Sequence, residues 1–214
     1  MAASPLQVNH IDELLSRARG LVLELGPGGG DQMYHYNASQ IKMMYAAEPN
    51  GFLHEKLYFK AREAGIGSYK ALEAGAQPTS LLPALKQAGL ITSTTGTLPD
   101  EGIFDTIVAV KSLCSAPQNQ LPDTAAVIQA LLKPGGEFLF FEHMGNNEDM
   151  ITRTYAWIAD LVWPMLMGGC RLDGQLDKVL LGMGGWDDRK LQTTGEFKGF
   201  EVFRYVKGVC RKAS

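Results

Sequence analysis

Short apolar runs alternate along the chain with amphipathic segments. The run Leu21 to Leu25 is interrupted only by Glu24, is too brief for a buried helix and stops at a glycine cluster, so it predicts a strand covered on both faces. Ahead of it, HIDELLSRAR from His10 to Arg19 sets Ile11, Leu14 and Leu15 on one face behind Asn9 as a cap, which predicts a short amphipathic helix. Beyond the glycines, Asp31 to Gln40 predicts a helix and IKMMYAAEP a second strand ending at Glu48 and Pro49. The alternation continues with a helix from about Phe52 to Ala64, a strand at Ser68 to Leu72, a helix from about Ser80 to Gln87 and a strand at Ile103 to Val110. A loop from Ile91 to Gly102 lies between the last two.

Thr124 to Leu132 then predicts a helix, KPGG at Lys133 to Gly136 a sharp turn, and EFLFFEH a fifth strand. Helices follow at Thr152 to Leu166, despite Pro164, and at Gly174 to Leu181. Lys190 to Thr194 and Phe200 to Cys210 alternate as an antiparallel pair of strands at the sheet edge. The order implies an α/β fold: a doubly wound, mostly parallel seven-stranded sheet with helices on both faces and right-handed crossovers.

The 214 residues suit one domain spanning 1–214, with a short helix before the first strand. The net charge of −3 is interspersed, and the only basic cluster is Arg211 and Lys212, so no nucleic-acid partner is expected. The MAASPLQVNH start is not a signal sequence, and no run of about 18 apolar residues predicts a membrane span. Cys114, Cys170 and Cys210 fit neither a disulfide framework nor a zinc site, and no metal is expected. A cytoplasmic protein is the expectation; the oligomeric state is open.

The candidate chemistry concentrates in LVLELGPGGG, where Gly26, Gly28 and Gly30 leave the first strand. In doubly wound sheets, ligands bind outside the carboxyl ends of the strands where the strand order reverses. A dinucleotide fingerprint would put its third small residue at position 31, but Asp31 stands there and would repel a pyrophosphate. The pattern is instead acid-x-G-x-G-x-G with Glu24 as the acid, which suits a ligand with a positive amino acid portion. S-adenosylmethionine is such a ligand, carrying an ammonium, a sulfonium and no phosphate. Glu48, about 20 positions past the loop, is placed to accept hydrogen bonds from two ribose hydroxyls. An NAD enzyme also places an acid there, so Glu48 identifies a ribose and not the whole cofactor.

With these residues in view, the sequence resembles class I S-adenosylmethionine-dependent methyltransferases across nearly its whole length. LVLELGPGGG looks like their first motif, AAEPN their ribose-binding acid with Pro49, FDTIVAVKSLCSAP their fourth strand and loop, and LLKPGGEFLFFEH the turn into their fifth strand. Within that superfamily it is most similar to the thiol methyltransferase-like (methyltransferase type 11) family, through LCS at Leu113 to Ser115, KPGGEFLFFEH, the Trp157 to Trp163 helix and GCRL at Gly169 to Leu172. Similar animal enzymes carry an N-terminal membrane-anchoring segment, which this sequence does not show. Where the family often has an acid near the adenine, this chain reads Ala74, Gly75, Ala76, Gln77; backbone amides and Gln77 are the substitutes. The resemblance also implies Ser112 at the cofactor and a Rossmann-like methyltransferase fold.

Methyl transfer from a sulfonium is an in-line displacement, and holding the nucleophile about 3 Å from the methyl carbon supplies much of the acceleration. A thiol or phenol must also lose its proton, and at a pKa near 8.5 a thiol needs little help. His143 ends the fifth strand and is the candidate base; its alternative is a hydrogen-bonded strand-end histidine, with Glu142 either orienting it or a mere strand-end charge. His10, His35 and His54 read as surface or packing residues, while His35, with Tyr34 and Tyr36, is close enough to the loop to remain a candidate. Cys114, Trp157, Trp163 and Cys170 are the candidate acceptor wall, with Met165 and Met167 nearby; an inward apolar packing face is the alternative. The expected activity is methyl transfer to a thiol or hydroxyl of a small, fairly apolar molecule. The alternative is a protein of this fold that binds the cofactor or a small molecule without methyl transfer, as a binding module or a catalyst of rearrangement.

Overall fold

The computed structural model describes residues 5–92, 98, 99, 101–144, 150–166, 169–171, 175–194 and 204–214. Seven strands form one sheet: β1 (Gly20–Leu25), β2 (Ile41–Ala47), β3 (Tyr69–Leu72), β4 (Phe104–Val110), β5 (Leu132–Met144), β6 (Trp186–Thr194) and β7 (Arg204–Lys212). Their order is β3-β2-β1-β4-β5-β7-β6. The first five are mutually parallel, while β7 runs antiparallel to both β5 and β6. The chain leaves β1 toward β2 and β3 and returns to β4 on the other side, so the strand order reverses between β1 and β4. That reversal opens a crevice at the carboxyl ends of the two strands.

The helices α1 (Pro5–Leu15), α2 (His54–Glu63), α3 (Pro78–Gln87), α4 (Leu121–Leu131), α5 (Met150–Ala159), α6 (Trp163–Leu166) and α7 (Leu176–Gly182) complete the described elements. One apolar layer joins α3, α4 and α7 to Leu23, Leu25, Phe138 and Phe140; the other joins α1 and α2 to Val22, Leu139 and Phe141. Alternate residues of β1 and β5 thus serve opposite layers, and strands covered on both sides must be apolar throughout. Glu24 interrupts that rule on the Val22 side. No helix of the described residues is long and apolar enough to cross a membrane.

Several expectations need correction. The Asp31 to Gln40 segment is not an α-helix but two 3-10 turns, Met33–His35 and Ala38–Gln40. Residues three apart eclipse in a 3-10 turn, which drops Met33 and Tyr36 together into the core, and the Asn37 carboxamide accepts from the Ser39 amide to start the second turn. The KPGG turn lies inside β5 as an irregularity, with Phe104 opposite Leu132 and Thr106 opposite Glu137. The predicted helix at Thr152 to Leu166 is two helices. Pro164 has no amide to offer the Asp160 carbonyl, so the chain turns through residues 160–162 and restarts with the proline in the first turn of α6. The first helix begins at Pro5 and ends at Leu15, earlier than predicted. Met167, Leu172 and parts of the 91–102 loop lie outside the described residues.

Candidate functional site at the carboxyl edge of the sheet

The glycine loop begins where β1 ends. The Gly26 amide donates to the Ala47 carbonyl at 2.8 Å, fastening the loop to β2. Gly26 has φ +62°, and a Cβ there would stand 2.6 Å from Cβ of Ser112, so its lack of a side chain lets the loop approach the segment after β4. Gly28, at φ +57°, has nothing within 4 Å of its would-be Cβ and borders open space. A ligand lying there meets backbone alone. Gly30 closes the loop against Leu57 of α2.

Glu48, 5% exposed, stands at the end of β2. One carboxylate oxygen accepts from the Gly28 amide and the other from the Asn50 amide, each at 2.9 Å. The acid is therefore built into the rim of the loop, with a lone pair of each oxygen remaining for a vicinal diol. His54 bonds the Glu48 carbonyl at 2.8 Å, so it is a packing partner of the site's backbone. Pro49 is exposed beside it.

Glu24 is fully buried beneath the loop. Its Oε1 accepts from Gln32 Nε2 and from the Tyr36 hydroxyl, both at 2.9 Å, while Gln32 also donates to the Pro27 carbonyl at 3.1 Å. Oε2 is buried with no hydrogen-bond partner. Burial raises the acid to about 7, against the lowering effect of the two donors. Gln32 escaped the sequence reading, and Tyr36 entered it only as a neighbour of His35, because a predicted helix would have faced them elsewhere. A buried carboxylate with an unsatisfied oxygen is suited to a cationic group.

Past β3, Gly75, Ala76 and Gln77 lead into α3. The Gly75 amide donates to Ser80 Oγ at 2.9 Å, and a Cβ on Gly75 would lie 2.3 Å from Oε1 of Gln77. Gln77 thus folds back over Gly75 at the same edge as Glu48. Glu73, exposed at the end of β3, lies near Gly51 of the turn after Glu48 and was not among the predicted residues.

Glu142 neither orients His143 nor stands idle at the strand end. Its Oε1 accepts from the amides of Ser112 and Leu113 at 2.9 Å each and its Oε2 from the Cys114 amide at 3.2 Å, anchoring the loop after β4. Burial raises its pKa and those amides oppose the rise. The chain reaches that loop through Lys111, at φ +53° the only non-glycine in the left-handed region among the described residues. Its ammonium lies 5.2 Å from the Tyr205 ring centroid and 5.7 Å from that of Phe141, and burial lowers its pKa.

His143 is 3% exposed, edge-on to Tyr205 with centroids 5.4 Å apart, on the β5 face opposite to Glu142. It stands at the expected edge but inside the packing. Of the predicted acceptor wall, Cys114 and Cys170 are drawn together, the Arg171 amide donating to the Cys114 carbonyl at 3.0 Å, and the Trp163 indole lies near the Cys170 thiol. Trp157 does not join them and is 67% exposed on α5, while Met165 is 85% exposed on α6. His35 bonds Asp12, away from the loop's open side. All three cysteines are free.

No protein-family model matches the sequence, and no curated protein matches it. Solved structures do. An O-methyltransferase family protein from Burkholderia thailandensis superposes with a TM-score of 0.66 at 15% identity, over 97% of this chain and 55% of that one. Geranyl diphosphate C-methyltransferase from Streptomyces coelicolor A3(2), solved with Mg2+, geranyl diphosphate and S-adenosyl-L-homocysteine, gives 0.63 at 12% identity over 97% and 77%. N-methyltransferase NodS from Bradyrhizobium japonicum WM9 gives 0.61 at 13% identity over 100% of both chains. The chain has the Rossmann-like fold of these methyltransferases.

Proposed function

We propose that this chain is an S-adenosylmethionine-dependent methyltransferase acting on a thiol or hydroxyl of a small, fairly apolar molecule. The observation that carries the reading is the Gly28 to Glu48 junction at the point where strand order reverses, in a sheet shared with methyltransferases of three acceptor chemistries. The cofactor supplies an electrophilic methyl group on a sulfonium.

The protein's part is placement. Glu48 offers the remaining lone pairs of its carboxylate to the ribose hydroxyls, and Gly28 leaves its backbone open to the ligand. Glu24 sets negative charge under the loop for the amino acid end, acting through the Gln32 and Pro27 contacts that hold the loop. Gly75, Ala76 and Gln77 border the adenine. The loop from Ser112 to Cys114, pinned by Glu142, closes the crevice on the β4 side, and Cys114, Trp163 and Cys170 form its apolar wall. His143 takes the acceptor's proton where the acceptor arrives protonated.

The interspersed charge and absence of a basic stripe support a small acceptor over a nucleic acid, and the free cysteines support a reducing compartment such as the cytoplasm. Two measurements test the reading. Calorimetry is expected to show micromolar S-adenosylhomocysteine binding, and its absence from folded protein would remove the proposal. Labelled methyl transfer to a panel of thiols, phenols and amines is expected to favour an apolar thiol or phenol. Binding without transfer to any of them would favour a binding module instead.

A further inference from the structure

Two thiols from distant parts of the chain meet beside the loop after β4. Cys114 is buried in the 3-10 turn Leu113–Ser115, and Cys170 is half-buried in the short segment 169–171 beyond α6. The Arg171 amide donates to the Cys114 carbonyl at 3.0 Å, and a Cβ on Gly169 would stand 3.7 Å from Cβ of Ser115, so residues 169–171 run alongside residues 114 and 115 and bring the two thiols close. The segment is also tied down by the ion pair of Arg171 with Asp160 at 2.8 Å.

The surroundings make the two thiols unequal. The adjoining Cys114 thiol lowers the Cys170 pKa foremost, helped by the nearby Trp163 indole and opposed by burial and by Glu142 and Asp160. The same pairing, with burial, raises Cys114. Cys210, in contrast, is buried in β7 opposite Phe138, and burial pushes its thiol up to about 12.

We infer that Cys114 and Cys170 form a two-thiol oxidation site for hydroperoxides, with Cys170 the attacking and Cys114 the resolving sulfur. The Cys170 thiolate attacks the outer peroxide oxygen; the S–O bond forms, the O–O bond breaks, and the departing alkoxide or hydroxide takes a proton. The Cys114 sulfur then attacks the resulting sulfenic acid, forming the S–S bond and expelling hydroxide, which leaves as water with the Cys114 proton. Two thiols lose two electrons and two protons, and the peroxide becomes an alcohol, or water for hydrogen peroxide, plus water. The product clips the 169–171 segment to the loop that carries Ser112. This inference does not depend on the methyl-transfer reading.

The full-length chain treated with hydrogen peroxide, thiol-blocked and digested with trypsin without reductant is expected to yield Ser112–Arg153 linked to Thr154–Arg171, separable by dithiothreitol. Cys210, in Gly208–Arg211, serves as the internal control and is expected to react at least about tenfold more slowly than Cys170. Cys114→Ser is expected to stop at a Cys170 sulfenic acid that dimedone traps, and Cys170→Ser to leave Cys114 unoxidised. Unlinked peptides from the treated wild-type chain, whether their thiols stay reduced or oxidise separately, would overturn the inference. Oxidation of Cys114 at the wild-type rate in Cys170→Ser would also overturn it.

Discussion

The Gly28 amide donates to Glu48 Oε2 at 2.9 Å, so the glycine loop leaving β1 and the acid ending β2 form one rigid corner. The second Glu48 oxygen extends that corner to Asn50. A ligand with a vicinal diol would complete a carboxylate already half satisfied by backbone.

Replacing Glu48 by Ala removes both the internal bonds and the diol acceptor. Charge-assisted hydrogen bonds are worth about 1.5 to 3 kcal/mol each before water compensation, so S-adenosylhomocysteine affinity is expected to fall at least about tenfold. Titration calorimetry reads this directly, with circular dichroism reporting that the fold persists. Unchanged affinity would remove the cofactor from the ends of β1 and β2.

Two neighbouring glycines separate structure from binding. In Gly26→Ala the new methyl collides with Ser112 in a left-handed backbone, and about 1 to 3 kcal/mol of stability is expected to go. In Gly28→Ala the methyl meets no protein atom within 4 Å, so the stability cost is expected near about 1 kcal/mol, while the ligand's path is filled. Urea midpoints should fall further for Gly26→Ala than for Gly28→Ala, and cofactor affinity should fall for both. A Gly28→Ala protein binding like the wild type would show that this space is not the ligand's.

Glu24 gives a pH signature. Its folded pKa, raised by burial to about 7, exceeds the unfolded value of 4.5, so between these the native state holds the extra proton. The stability contributed by this group is therefore complete below about 4.5, declines as pH rises and is gone above about 7, a loss of up to about 3 kcal/mol. Glu24→Gln is expected to flatten the fall in denaturation midpoint across that window. Cofactor affinity should show the opposite slope in the wild type, weakening below about 7 as the carboxylate that balances the ammonium is protonated. Identical profiles for wild type and Glu24→Gln would exclude this role.

His143→Ala should leave S-adenosylhomocysteine affinity near that of the wild type and lower turnover most below the acceptor's own pKa, where a proton must still be removed. A pH–rate profile for a thiol acceptor checks this. A loss uniform across pH would assign His143 to packing against Tyr205 instead.

Much of the fold was legible because strand and helix periods differ and the buried strands are apolar throughout. All seven strands lie where apolar runs or alternation put them, and Glu48 ends the second strand as expected, while its bond from the Gly28 amide was not foreseen. Local composition misled where tertiary contacts decide. Met33 and Tyr36 are drawn inward by the core and Glu24, which a ten-residue polar-start segment does not reveal. Pro164 splits the predicted helix because its missing amide breaks the hydrogen-bond ladder there. Glu142 could not be read as a loop anchor, because its donors, three backbone amides and the Ser112 hydroxyl, stand some 30 positions away and carry no sequence signature. Cys114 and Cys170 were expected on one wall, but nothing in their spacing records the Arg171 to Cys114 backbone bond that brings them together.

The place of β7 between β5 and β6 bears on how the polypeptide is made. Arg211 bonds Glu137 across 74 positions, so β5 emerges from the ribosome long before the strand that covers its outer edge. At about 5 to 20 residues per second, that interval lasts roughly 4 to 15 s. Throughout it, the open edge displays Phe138, Leu139, Phe140 and Phe141, four consecutive apolar residues of high strand propensity. The order of the strands thus builds in an interval during which intermolecular strand pairing competes with completion of the sheet.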